Sequence, residues 1–222
     1  MMSGEQGRDR ARWLWWLALL GGISFFVAVY QRLDGPAIWA WKTSGVGLLA
    51  VWAAANAREK NGWLIAAVLG FGALGDYLLD AKGLVVGAAA FAVGHIIAII
   101  LYLTNRRAQT TPSQRLLGWL VMPATLVIVW AMLSPAAGWW HAAVYSLFVA
   151  AMAAAAWTSR FPRYRTGTGA MMFLASDLFI FAGEGAVLSK DVTMWLVWPL
   201  YFGGQALIAW GVVSTLAKEA RA

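Results

Sequence analysis

The sequence has no cysteine, only two histidines and six prolines, and few charges. Without cysteine there can be no disulfide, thiol nucleophile, cysteine-held zinc, iron–sulfur cluster or sulfur-linked lipid, although this says nothing about compartment. Charged residues make up 12% of the 222, against about 25% in an average soluble domain. Those present cluster between long apolar runs, which leaves too little polar sequence for a separate soluble domain. No serine stands in a nucleophile elbow, and neither an HExxH pattern nor a glycine-rich phosphate loop occurs. Two distant histidines and scattered carboxylates make a poor ligand set, so neither a metal nor a cofactor is expected.

What is present is apolar: 61% of residues are hydrophobic and 15 are tryptophan, with a mean hydropathy of +0.66. Runs near the length that crosses a hydrocarbon core of about 30 Å fall at 13–30, 37–57, 63–80, 84–104, 116–133, 139–158, 169–188 and 193–216. Continuous runs of this kind form helices, not the alternating strands of a barrel. The expected fold is all-α, a single polytopic membrane domain of eight transmembrane helices. Short connections such as Asp34-Gly35-Pro36, Asn61-Gly62 and Ser134-Pro135 make neighbouring helices antiparallel. Trp13, Trp15, Trp16, Trp63, Trp139, Trp140 and Trp195 lie near span ends and suit interfacial anchoring.

The net charge of +7 is explained by its distribution and does not call for nucleic acid. One side of the eight-span arrangement holds Arg8, Arg10, Arg12, Arg58, Lys60, Arg106, Arg107, Arg115, Arg160, Arg163, Arg165, Lys218 and Arg221. The other holds Arg32, Lys82 and Lys190, and Lys42 lies within a span. The positive-inside rule then puts both termini in the cytoplasm of a multi-pass protein, expected in a bacterial inner (plasma) membrane. The first span lacks a small-residue cleavage site and reads as an uncleaved anchor.

Six ionisable residues nevertheless sit within or at the ends of spans: Lys42, Asp76, Asp80, His95, Asp177 and Glu184. Tyr145, Tyr201 and Gln205 add polar tips. A charge at the bilayer centre costs roughly 2.5–3.5 kcal/mol on insertion scales, so such residues face the protein interior and pair with one another. Asp76 and Asp177 occur in similar phrases, GALGDYLL and FLASDLFIF, in the third and seventh spans. Both spans run in the same direction, compatible with two parallel four-helix repeats. Two carboxylates in one low-dielectric site can share a proton and so supply an acid and a base together. Lys42 is expected to pair with Asp76 or Asp177. Asp80 is expected at the membrane edge beside Lys82. Glu184, seven residues after Asp177, is a secondary candidate, and His141 beside Trp139 and Trp140 reads as interfacial.

With these pieces in order, the chain resembles the YhhN family of integral membrane proteins, whose studied animal members are lysoplasmalogenases. The matching pieces are Lys42, GALGDYLL (72–79), GAAAFAVGH (87–95), VYSLFVAAM (144–152), GAMMFLASDLFIF (169–181) and LYFGGQALIA (200–209). Thr43 and Ala98 stand where the family often has proline and tyrosine. The resemblance implies hydrolysis of the vinyl ether of a lysophospholipid. Asp76 and Asp177 would be the catalytic pair, Lys42, His95, Tyr145, Tyr201 and Gln205 would bind substrate, and Asp80 and Glu184 are secondary candidates. The partners it implies are the lipid bilayer and a lysoplasmalogen.

Two rival functions use the same carboxylates. A proton-coupled transporter or lipid-binding membrane protein would use them as a relay or head-group site. An intramembrane aspartyl protease would need the Tyr-Asp phrase first and the Gly-x-Gly-Asp phrase later, and the order here is the reverse.

Overall fold

Local chemistry sets where each helix begins. In the computed structural model, which describes residues 11–134 and 138–221, α1 (Arg12–Ser24) and α2 (Phe26–Gln31) form the first span, broken at Phe25. Pro36 opens α3 (Pro36–Asn56) at a position where its missing N–H costs nothing. α4 (Lys60–Lys82) is joined to α5 (Leu84–Thr104) by Gly83 alone. A capping box starts α6 (Pro112–Leu133): the Thr111 hydroxyl accepts from the Gln114 backbone N–H, and the Gln114 side chain accepts from the Thr111 N–H. α7 (Trp139–Thr158) follows. A π-turn (Arg163–Gly167) then leads into α8 (Thr168–Glu184), and Ser189 caps α9 (Lys190–Glu219). Arg8, Arg10 and the Pro135 turn lie outside the described residues.

Seven of the expected spans are long and apolar enough to cross a membrane. The eighth, α3, is 21 residues long, but Trp39, Trp41, Lys42, Thr43 and Ser44 dilute its hydropathy. It packs against α1, α4 and α9, as a member of a polytopic membrane bundle does. The helix expected to reach residue 188 stops at Glu184, because Gly185 and the left-handed Ala186 turn the chain there. α9 begins three residues earlier than expected and runs 30 residues, much of it buried in the bundle.

Trp13, Trp16, Trp63, Trp140 and Trp195 are exposed, as anchors should be. Trp15 is a correction. It is buried, with its ring 4.8 Å from Trp52 and 4.9 Å from Trp210, and this cluster ties α1, α3 and α9 together.

At the end of the bundle where most basic residues gather, hereafter the basic end, the chain is tied across helices. Arg160 N–H donates to the Asn105 carbonyl, Arg107 N–H donates to the Thr158 carbonyl, and Arg106 pairs with Ser159 as an isolated bridge. The Arg160 side chain adds bonds to Asn105 and Glu219, and Asn105 bonds Asn61. These contacts join the far ends of α5 and α7.

Candidate active site

Each of four helices offers two residues at i and i+4, which places both on one face. α4 presents Gly72 and Asp76, α5 Phe91 and His95, α8 Phe173 and Asp177, and α9 Tyr201 and Gln205. All eight are buried.

Asp76 accepts a hydrogen bond of 2.8 Å from the Tyr201 hydroxyl, and Gln205 Nε2 lies 3.5 Å from that same hydroxyl. Gly72 makes this possible, since a Cβ there would stand 2.6 Å from Gln205 Nε2. Asp177 accepts a hydrogen bond of 2.8 Å from the Tyr145 hydroxyl, which lies 3.2 Å from His95 Nε2. Each carboxylate therefore has its own tyrosine donor, and among the described residues no hydrogen bond joins the two acids. The rings of Phe91, Phe173 and Tyr201 pack against one another edge-on, with centroids 5.1–5.9 Å apart, and Phe173 also meets the His95 ring.

Lys42 is where expectation and structure part. Its Nζ lies 2.9 Å from both oxygens of Asp80, not against Asp76 or Asp177. Asp80 sits one helical turn beyond Asp76, so the ion pair forms at the end of α4 and spares the deeper carboxylate a permanent partner. Asp80 is consequently more than an edge charge, and its partner is Lys42 where Lys82 had been the neighbour in sequence. Glu184 stays apart from the cluster, exposed and paired with Lys190.

A cavity of about 270 Å³ opens beside Asp177, between α5, α7 and α8. This approaches the lower end of the range for small-molecule sites, about 300–1,000 Å³. Its walls are mostly aliphatic and aromatic. Asp177 and Tyr145 supply the polar groups inside, and His141, stacked on Trp140 at 3.6 Å, supplies one at the rim. The rim residues Val85 and Val144 are exposed on the outward faces of their helices. Phe91 and Phe173, which shape the ground between the aspartates, escaped sequence reasoning. The available signal was their position four residues before His95 and Asp177.

The YhhN family pattern matches residues 37–212, from the start of α3 nearly to the end of α9. The chain belongs to the YhhN family. Proteins named lysoplasmalogenase in Mycobacterium bovis and in Mycobacterium tuberculosis are each 31% identical to it over 214 residues, covering 88% of this chain and 80% of theirs. No solved structure matches. In this YhhN-family chain, five of the six quoted phrases supply the buried polar cluster, and the sixth, Lys42, supplies its neighbouring ion pair.

Proposed function

We propose that the chain is an integral membrane hydrolase that cleaves the vinyl ether of a lysoplasmalogen, yielding a fatty aldehyde and glycerophosphocholine or glycerophosphoethanolamine. Family membership and the names of the mycobacterial relatives support the reaction class. The observation that carries the reading is the apolar cavity set among membrane-length helices with a buried carboxylate in its wall. Such a cavity suits a single hydrocarbon chain that ends in a polar, acid-labile bond.

A carboxylic acid protonates the β-carbon of the vinyl ether and leaves an oxocarbenium ion on the α-carbon and oxygen. Water adds to the α-carbon and gives up a proton to a carboxylate, and the hemiacetal then breaks its bond to the glycerol oxygen, which leaves as the alcohol. General acid–base assistance of this kind contributes about 10²–10⁴-fold. Asp177, in the cavity wall, is the group that meets the reacting atoms. Asp76 completes the pair from behind Tyr201. Tyr145 and His95 hold Asp177, while Tyr201 and Gln205 hold Asp76. Lys42, near the end of the bundle opposite the basic one, meets the lipid phosphate in this reading. The basic end faces the cytoplasm in this reading, and both termini lie on that side.

The test is aldehyde release by the purified protein in detergent, supplied with choline or ethanolamine lysoplasmalogen. Asp76→Asn and Asp177→Asn should each reduce the rate at least about 10²-fold with the melting temperature retained. Full activity in either variant would remove that residue from the chemistry. Release without any gradient also separates a hydrolase from a transporter. α6 and α9 run unbroken through Pro123 and Pro199, unlike the discontinuous helices of many transporters.

A further inference from the structure

Tyr102 is fully buried on α5, one to two turns toward the basic end from His95, and its hydroxyl has no hydrogen-bond partner among the described residues. A buried polar group without a partner costs roughly 1–3 kcal/mol, so native proteins seldom leave one unsatisfied. Four other buried atoms share that condition, on Thr43, Ser146, Trp157 and Thr166. Tyr102 differs because it lines a small internal cavity, about 10 Å³, that the other four do not reach. That volume matches the berth of one water molecule, roughly 10–15 Å³. Every residue around it is buried, and the side chains there that can hydrogen-bond are Tyr102, His95 and Gln205.

Hydrogen-bond accounting shows what these three require. The single Tyr145 hydroxyl hydrogen goes to Asp177. The bond between Tyr145 and His95 Nε2 must therefore be donated by the ring, which leaves Nδ1 of a neutral imidazole as an acceptor. Gln205 gives one of its two amide N–H groups to Tyr201, and its carbonyl oxygen is an acceptor. Tyr102 has one O–H to donate. Two acceptors and one donor are the complement of one water, which donates twice and accepts once, and buried waters typically make about three hydrogen bonds.

We propose that this cavity is a binding site for one water molecule, anchored by Tyr102 and bonded to His95 and Gln205, and that it joins the two carboxylate branches into one network. One branch runs Asp76, Tyr201, Gln205 and the other runs Asp177, Tyr145, His95. They share no direct hydrogen bond, and the water is the link that couples them. The inference concerns the resting protein and stands apart from the identity of the substrate.

Crystals of the full chain grown from a lipidic phase supply the first test. Their density should show one solvent peak within about 2.7–3.2 Å of the Tyr102 hydroxyl, His95 and Gln205, and Tyr102→Phe should remove it. A Tyr102 hydroxyl bonded to protein, or no peak in the parent chain, would overturn the site. Coupling is read separately by a double-mutant cycle in melting temperature. Tyr145→Phe and Tyr201→Phe should be non-additive in the parent chain and become additive when Tyr102→Phe is also present. Additivity in both backgrounds would overturn the link. Neither measurement uses substrate, so both remain decisive if no hydrolysis is found.

Discussion

A single missing methyl group at Gly72 decides how closely α9 can bring its polar side chains to Asp76. Gly72→Ala would drive Cβ into Gln205 Nε2, and the side chain must swing away and release Tyr201. A misplacement of about 1 Å near the chemistry can cost about 10²-fold, so this variant should lose tenfold to a hundredfold in aldehyde release while remaining folded. A rate equal to the parent's would show that Gln205 is dispensable. Outside the spans, Asp34 accepts from the Trp39 indole N–H at 2.6 Å and the Gly35 N–H at 2.7 Å. Those donors, the indole first, hold its carboxyl below the ordinary value. The stability it contributes is present above the unfolded value of about 3.9 and disappears as pH falls through the lower folded value. The Trp39 indole resonance should accordingly stay constant down to about pH 4 and move only below it, and a midpoint above that would deny the bond. Sequence made the acids and their polar companions legible because ionisable residues inside apolar runs are rare. For Phe91 and Phe173 it offered only their i−4 spacing from His95 and Asp177, since a phenylalanine among apolar neighbours carries no distinguishing cost of its own. Nor did it point to Asp80 as the partner of Lys42, where Asp76 or Asp177 was expected, because that pairing turns on how α3 and α4 are rotated against each other.

Helices, by contrast, were written plainly in hydropathy and turn chemistry, with α3 the instructive case. Its diluting residues sit in the half that holds Lys42, where a neighbouring acid and the indoles of Trp39 and Trp41 find polar partners. The joint between α4 and α5 is the most constrained connection. Gly83 has φ 91° and ψ 173°, a region essentially restricted to glycine where other residues pay of order 1–3 kcal/mol. Just beyond it, a Cβ on Gly87 would collide with the Cβ and backbone of Leu79, so the two helices approach backbone to backbone. Gly83→Ala should lower the melting temperature by an amount equivalent to about 1–3 kcal/mol, and an unchanged melt would mean that the hairpin relaxes elsewhere. Helix ends were less legible: the turn at Ala186 depends on a left-handed residue that propensity alone does not anticipate.

For the molecule as a whole, the absence of cysteine provides a clean background for mapping topology. Lys82→Cys and Lys218→Cys, made singly, lie at opposite ends of the bundle. In intact cells a membrane-impermeant maleimide should label the first, and it should reach the second only after permeabilisation. The reverse pattern would invert the proposed orientation. The ties at the basic end also bear on entry. Backbone bonds fasten the chain just beyond α5 to the chain just beyond α7, while the cavity between these helices lies toward their other ends. Two arms joined at one end behave like sugar tongs: they part widest at the tips and hardly at all at the joint. A guest lipid would then be gripped from the leaflet at the tips, and lengthening the grip would require longer arms, because the joint cannot slide.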